Sequence, residues 1–578
     1  MSAMQAIIER EVPECAALAE HIGPRLARLY AARGVTSAQA LDYRLSQLPR
    51  PDGLGGIDAA AKVLAEAIIA GQRLLVVGDF DADGATSCAL ALRALREMGA
   101  SAVDYLVPNR FEFGYGLSAE LVNVAQARAP DVILTVDNGI SSHAGVDAAN
   151  ALGISVVITD HHLPAKTLPA ASAIVNPHVD SPAFESNALA GVGVCFYVML
   201  AVRGYLRAQA WFTETRGEPA FSQFLDLVAL GTIADVVPLD RVNRLLVEQG
   251  LRCIRADKGS PGIRALLEVA GRDPRSACAS DLGFAAAPRL NAAGRMADIG
   301  VGIETLLAND AATAKSHAQS LEALNQERRA VERGMRAEAM ADIATDSLNP
   351  GTTPEPLLCL FDERWHQGVV GIVAGRLKEL YQRPAIAFAP ADNGLIKGSG
   401  RSVSGVHLRD LFEAIDRQTD GAIIQRFGGH AMAAGLTLRA EDYPAFRAAL
   451  MGLAQQRFAD RVPGDTLMTD GALAAEEFSL ALAKTLRLAG PWGAEFPEPL
   501  FHGRFQVKQQ RVVGDAHLKL TVSPEVAPAL SLDAIAFNAL ERGWSPAAAR
   551  IDAVYRLDVN AFRGRESLQL VFDHLANA

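Results

Sequence analysis

Cysteine is scarce and never paired in sequence: six residues (Cys15, Cys88, Cys195, Cys253, Cys278, Cys359) are scattered through 578, with no Cys-x-x-Cys. That spacing excludes a disulfide framework and a zinc ribbon, and fits buried thiols in a reducing cytosol. No internal repeat or low-complexity tract is present, so a solenoid is excluded. No run of about 18 apolar residues is free of charge, so no membrane-spanning helix is expected. The first twenty residues carry Glu9, Glu11 and Glu14 and lack the basic-then-apolar order of a signal peptide. A cytoplasmic location, with no membrane contact, is expected. The chain also lacks a basic excess. Its net charge of −11 argues against a sequence-independent nucleic-acid coat. It leaves room for an acidic metal site, where bound cations offset carboxylates.

What is present is half hydrophobic residues and about a fifth charged, in a chain too long for one core. Three or four domains are expected. Residues 1–55 look helical and carry no chemical signature. From Gly71 the pattern changes to buried-strand runs at Arg73–Gly78, Ala102–Val107, Val132–Val136 and Ile154–Ile158, with helical patterns between them. This alternation predicts an α/β, mostly parallel sheet covered by helices on both faces. Ala311–Leu348, nearly free of glycine and proline, predicts a long connecting helix. Asn349–Pro356 reads as a linker, a second α/β segment spans about Leu357–Phe458, and Pro463-Gly464 marks another boundary. Beyond a helical patch at Ala475–Leu488, five short alternating runs predict a small barrel of the OB type. They are His502–Val513, His517–Val522, Ala534–Phe537, Ala553–Val559 and Leu568–Phe572.

In open parallel sheets, ligands bind at the carboxyl ends of the strands. Three of those ends are acidic here: Asp79-Phe-Asp-Ala-Asp83, Asp137-Asn-Gly139 and Asp160-His-His162. Asp79, Asp81 and Asp83 repel one another unless cations sit between them. A lone Asp-x-Asp-Gly is usually a turn that caps a helix; the companion acids change that balance. Asp160-His161-His162 is rarer, and its adjacent histidines point different ways. Asp235 lies in the apolar run Gly231-Thr-Ile-Ala-Asp-Val-Val-Pro238, where an unpaired acid is costly.

These four segments resemble the motifs of the DHH phosphoesterase superfamily. Gly191-Val-Gly193 and Pro288-Arg-Leu-Asn-Ala-Ala-Gly-Arg295 are similar to further segments of its single-strand exonuclease branch. Trp365–Arg376, Gly398-Ser-Gly-Arg-Ser402 and Gly428-Gly-His-Ala-Met-Ala-Ala-Gly435 are similar to that branch's second, DHHA1-type domain. The match covers nearly the whole chain, in order. One departure separates the chain from the pyrophosphatase branch: Val77 stands where that branch has a histidine, and Asp79 lies two residues before the Asp81/Asp83 pair.

The resemblance implies a division into residues 1–55 (helical), 56–310 (DHH metal domain), 311–348 (helix), 349–462 (DHHA1-type) and 463–578 (OB-like barrel). It implies two divalent ions, Mn²⁺ with Mg²⁺ as the alternative. Asp137 would bridge them; Asp83, His161 and Asp235 would complete one site, and Asp81 with Asp79 would serve the other. Asp160 would orient its neighbours, and His162 would contact the phosphate or the leaving group. Ser399, Arg401, Gly429 and His430 would hold phosphates, with Arg295 and Arg376 as further contacts. In the tail, Arg504, Lys508, Arg511, Lys519, Arg556, Arg563 and Arg565 interleave with Phe501, Phe505, Tyr555 and Phe562. That mixture suits single-strand binding by charge and stacking, unless the aromatics form the barrel core.

The activity implied is hydrolysis of single-stranded DNA from the 5′ end, releasing nucleoside 5′-monophosphates in repair and recombination. The chain would act as a monomer, with single-strand-binding protein and a helicase as family-type partners. The alternatives are a phosphodiesterase of short RNA oligomers or cyclic dinucleotides, and a replication scaffold without metal ligands. The presence of every expected ligand opposes the scaffold, and the barrel favours a long polymer.

Overall fold

The computed structural model describes residues 7–109, 113, 115–347, 355–458, 466–514, 516–542, 544, 549–562 and 564–577. Most of the Asn349–Pro356 linker, the Pro463-Gly464 boundary and Arg563 lie outside the described residues. The chain forms two compact units, Glu11–Asn325 with Ala481–Pro499, and Met1–Arg10 with Gln326–Leu480 and Leu500–Ala578. Strand β1 (Ile7–Glu9) opens the chain and belongs to the latter unit.

The former unit is built on β2 (Arg73–Val77), β3 (Ala102–Leu106), β4 (Val132–Val136), β5 (Ser155–Thr159) and β6 (Ala173–Val175). Their order is β3-β2-β4-β5-β6, with every pair parallel. Alternate residues of one strand serve different cores. Leu74, Val76, Leu134 and Val136 pack on one face; Leu75, Val77 and Ile133 pack on the other. Both faces of β2, β4 and β5 are dry, so these strands read as nearly continuous apolar runs rather than alternating ones. Beneath β2 lies helix Ala82–Glu97, buried along most of its length. Its small residues allow close packing against helices Gly191–Ala208 and Leu225–Asp235. Helix Gly191–Ala208 is long and apolar enough to cross a membrane, but 61% of it is buried inside the fold and it packs as a core helix. The three-residue β6 was not expected from the sequence.

Ala481–Pro499 belongs with the parallel-sheet unit. There Trp492 and Phe496 stack 5.8 and 6.1 Å from Tyr30. Arg244 lies 4.2 Å over the Phe496 ring.

In the other unit a five-stranded sheet has the order β10-β11-β9-β8-β7. Its strands are β7 (Leu358–Phe361), β8 (Ala385–Pro390), β9 (Leu395–Arg401), β10 (Ile424–Gly429) and β11 (Ala433–Arg439). Only β7 and β8 run parallel, joined through helix Val370–Tyr381. β12 (Leu467–Thr469) pairs with β1. The remaining strands are β13 (Phe501–Val513), β14 (His517–Pro524), β15 (Leu532–Ala536), β16 (Arg550–Phe562) and β17 (Arg565–Asn577). They close into a barrel in the order β13-β14-β15-β17-β16.

The barrel corrects the stacking expectation. Phe501, Phe505 and Tyr555 are at most 1% exposed, and Phe505 meets Tyr555 at 5.2 Å and Phe572 at 5.5 Å. Period-two alternation turns these rings inward. The cations between them face acids instead: Arg504 pairs with Asp552, Lys519 with Asp533 and Arg556 with Asp573. Lys508 and Arg511 remain exposed on β13.

Candidate metal centre

The chain leaves β2 through Gly78 and Asp79, and Asp81 caps the next helix. Its Oδ1 accepts the N–H groups of Asp83 and Gly84, both at 3.0 Å. This is the ordinary work of an Asp at a helix start. Asp83 does more. Its two oxygens accept the N–H groups of Gly191 at 2.6 Å and Val192 at 3.0 Å, in the first turn of helix Gly191–Ala208. Two helix N-termini thus face the same acids, and their dipoles favour negative charge there.

Asp137 follows β4 in the left-handed region, with φ of 61°. Its N–H donates to Thr159 O at 3.0 Å. The next residue, Asn138, donates from Nδ2 to Val77 O and Val136 O at 3.1 and 2.9 Å, tying the ends of β2 and β4 together. Asp160 ends β5 and is saturated. Oδ1 accepts His161 N, His162 N and His162 Nδ1 at 2.7, 3.1 and 2.8 Å, and Oδ2 accepts Ile140 N at 2.9 Å. Asp235 closes helix Leu225–Asp235.

Geometry gathers these side chains. Asp83, His161 and Asp235 offer ligand atoms within 4.8 Å of one another, as do Asp79, Asp81 and Asp137. His161 Nε2 lies 3.2 Å from Asp137 Oδ1 and 3.4 Å from Asp235 Oδ2. Yet Asp137 Oδ1 and His161 Nε2 are buried without a hydrogen-bond partner. Buried polar atoms are normally satisfied. Divalent cations would satisfy these, and the mixed carboxylate–imidazole set suits Mn²⁺ well.

The electrostatics point the same way. Burial and the charges of Asp83, Asp81, Asp235 and Asp79 push the Asp137 carboxyl well up. Burial, Asp235 and Asp81 do the same to Asp83, against the two N–H bonds. Burial and Asp81 lift Asp235 to about 7. Burial, and then the charge of His162, lowers His161 to about 4, leaving a neutral imidazole fit to be a ligand. Burial opposes charge on His162 too, but its bond to Asp160 and the nearby carboxylates raise it to about 9.

Two glycines make room. A Cβ on Gly191 would sit 2.6 Å from Asp137 Cβ and Oδ1, and one on Gly231 would sit 2.7 Å from Asp83 Oδ1. Gly191→Ala should therefore push Asp137 aside and weaken metal binding at least about tenfold, as displaced ligand shells do. Thermal melts with and without Mn²⁺ check this: the metal-induced rise should shrink. An unchanged rise would contradict it.

Asn291 and Tyr115 were missing from the sequence-derived set. Asn291 Oδ1 accepts Ala82 N at 2.8 Å, between Asp81 and Asp83. The Tyr115 hydroxyl donates to Asp137 O at 3.0 Å, and its ring meets His162 edge-on at 5.5 Å. Asn291 stands in a motif already noticed; Tyr115 sits in a loop with no pattern to mark it.

The expected phosphate contacts divide between the units. Arg295 lies in helix Ala287–Met296 of the parallel-sheet unit, and the others lie in the second unit. Ser399 and Arg401 alternate along β9, so they share a face, and Arg401 Nη1 donates to Ser399 Oγ at 3.0 Å. Burial lowers the Arg401 pKa. Gly429, with φ of 124°, lets the turn into β11 close: a Cβ there would meet Ala433 O at 2.5 Å. His430 follows it, exposed, its N–H bonded to Ala433 O at 2.8 Å. Arg376 is engaged by acids, Glu332 at 3.3 Å and Glu379 at 3.0 Å.

Comparison with known proteins agrees with the fold and the motifs. Three family models match in order: the DHH family N-terminal domain over residues 73–232, the DHHA1 domain over 355–456 and the RecJ OB domain over 469–574. The single-stranded-DNA-specific exonuclease RecJ of Dickeya dadantii is 54% identical over 563 residues, 95% of each chain. The crystal structure of RecJ in complex with Mn²⁺ from Thermus thermophilus superposes with a TM-score of 0.78 at 30% identity, covering 99% of this chain and 79% of that one. The corresponding Mg²⁺ complex gives 0.74 at 27% identity, covering 99% and 78%. With more than half its residues shared along nearly the full length of such a relative, this chain belongs to the RecJ family.

Proposed function

We propose that this chain degrades single-stranded DNA from the 5′ end, using divalent metal held by Asp79, Asp81, Asp83, Asp137, His161 and Asp235. It is a metal-dependent, single-strand-specific DNA exonuclease, as its relatives are named, and repair and recombination fit that activity. The observation that carries the site assignment is the pair of buried, unsatisfied ligand atoms, Asp137 Oδ1 and His161 Nε2, among raised carboxylates. Two divalent ions held by these residues would supply Lewis acidity, lowering the pKa of a water and offsetting charge on the attacking and leaving oxygens.

The protein's own groups do the rest. Asp160 fixes both histidines through the bonds described above, and sets the His162 tautomer by accepting from Nδ1. With Nδ1–H so held, His162 presents its Nε2 side to a phosphate and, protonated below about pH 9, donates a hydrogen bond or a proton to the leaving oxygen. Ser399, Arg401 and His430 hold a phosphate on the 3′ side of the cut, with the Gly429 backbone in close approach. Arg295 and Arg376 are further contacts. The barrel's exposed Lys508 and Arg511 offer further phosphate contacts for a long strand. A helicase and a single-strand-binding protein, which expose and coat such strands, are the partners this substrate calls for.

Polarity is tested with strands blocked by a bulky group at one end. A 5′ block should protect and a 3′ block should not, with 5′-mononucleotides as product. Equal digestion of both, or preference for a two-nucleotide RNA, would overturn the reading.

A further inference from the structure

Phe284 is 80% exposed, more than any other large apolar side chain among the described residues. A scattered surface apolar residue needs no explanation by itself. Three features set this one apart. It sits in a π-helical turn, Leu282–Ala286, a rare arrangement that is frequent at functional sites. That turn is held rigidly: buried Arg289 donates to Ala285 O at 2.6 Å and pairs with Glu322 at 2.6 Å. And the segment is tied to the metal centre at both ends. A Cβ on Gly283, next to Phe284, would lie 3.1 Å from Ile233 Cγ2, two residues before Asp235. Two turns further on, Asn291 holds Ala82 between Asp81 and Asp83.

A second apolar side chain stands out at the same helix end. Val236, directly after Asp235, is 68% exposed and has φ of 62°. A β-branched residue in the left-handed region is strained, and such strain persists where the surroundings impose it.

We infer that Phe284 is a stacking platform for a nucleobase of the single strand held at the metal centre, with the exposed Val236 at the end of the helix its turn packs on. The occupant is a base rather than a protein side chain because the turn that carries Phe284 packs on helix Leu225–Asp235, whose last residue is one of the acids proposed to act on the phosphodiester. An aromatic face held by a locked turn stacks any base without reading sequence. A paired base, its faces already stacked in a duplex, is not available to it. Phe284 is thus a specificity-determining residue for unpaired strands. The inference rests on the single-strand reading above.

The test uses the full-length protein with Mn²⁺ and measures binding of a hydrolysis-resistant phosphorothioate oligo(dT), and of an abasic phosphorothioate strand of equal length, at several salt concentrations. Phe284→Ala should weaken binding of oligo(dT) by about 5- to 100-fold. The slope of affinity against salt should stay unchanged, because no phosphate contact is lost. Phe284→Trp should restore binding. On the abasic strand, wild type and Phe284→Ala should bind alike. Melting curves for each variant verify folding. An equal loss on both strands, a flattened salt slope, or no loss at all would overturn the inference. A wild-type protein that neither binds nor cuts single strands would instead overturn the proposed function.

Discussion

Replacing Asp137 by Asn is expected to lower the turnover of single-stranded DNA by about a thousandfold or more, given the several kcal/mol that metal ions contribute to such transition states. Asn keeps the size of the side chain and tolerates the left-handed backbone found here. What is lost is the charge and a ligand oxygen next to His161. The fold should survive, and the sign follows from linkage. A carboxyl whose pKa is raised by folding is penalised when ionised. That penalty is absent below the unfolded-state pKa and complete above the folded one. At pH 7 to 8 the metal-free variant should therefore melt at or above wild type. Mn²⁺ should then raise the melting temperature of wild type much more than that of the variant, since only the intact site gains by mass action. Activity within tenfold of wild type would remove Asp137 from the metal centre.

Asp160→Asn is expected to cost about 10²-fold in turnover, the scale of losses when groups behind metal ligands are removed. Each Asp160 oxygen now faces only donors: three at Oδ1 and Ile140 N at Oδ2. An amide must turn its NH₂ toward one of those donors, whichever way it is placed. The His162 proton also loses its carboxylate partner. Its pKa, held at about 9 chiefly by that partner against burial, should fall below the ordinary histidine value. If protonated His162 assists the leaving group, the alkaline limb of the pH–rate profile moves to lower pH in the variant. A uniform loss at all pH values would mean that Asp160 only shapes the loop.

Much of this was legible in the sequence, for physical reasons that differ by element. Strands β2, β4 and β5 were plain because both faces are buried, so each is a largely apolar run followed by an acid; the edge strand β3 is half-buried, carries Asp104 and leads to no acid. The long helix was plain because 37 residues, Ala311–Ser347, carry almost no breaker. The barrel strands showed through period-two alternation, yet the same alternation hid the fate of their aromatics. It says that Phe501 and Phe505 share a face of β13, not which face is inside nor that Tyr555 of β16 joins them. Lys519 and Arg504 looked available for phosphate because Asp533 and Asp552, which pair with them, come from strands whose register the sequence does not display. Strands β1 and β12 are three residues each and pair across some 460 positions, beyond any local signal. Trp492 and Phe496 look like part of the tail; only tertiary contacts with Tyr30 and Arg244 assign them to the other unit. At the metal centre the residue types were readable because six acids and two histidines at strand and helix ends have few other uses. Tyr115, a contributor through one hydroxyl, was not.

Metal-dependent cutting of unpaired DNA is the property on which every role assigned above depends. The direct measurement is digestion of an end-labelled single strand and the matching blunt duplex, each with Mn²⁺ and with chelator, by wild type and Asp137→Asn side by side. The expected result is degradation of the single strand by wild type with Mn²⁺ alone, and survival of both substrates in every other lane. Degradation that persists in chelator, or a duplex cut as fast as the single strand, would contradict it.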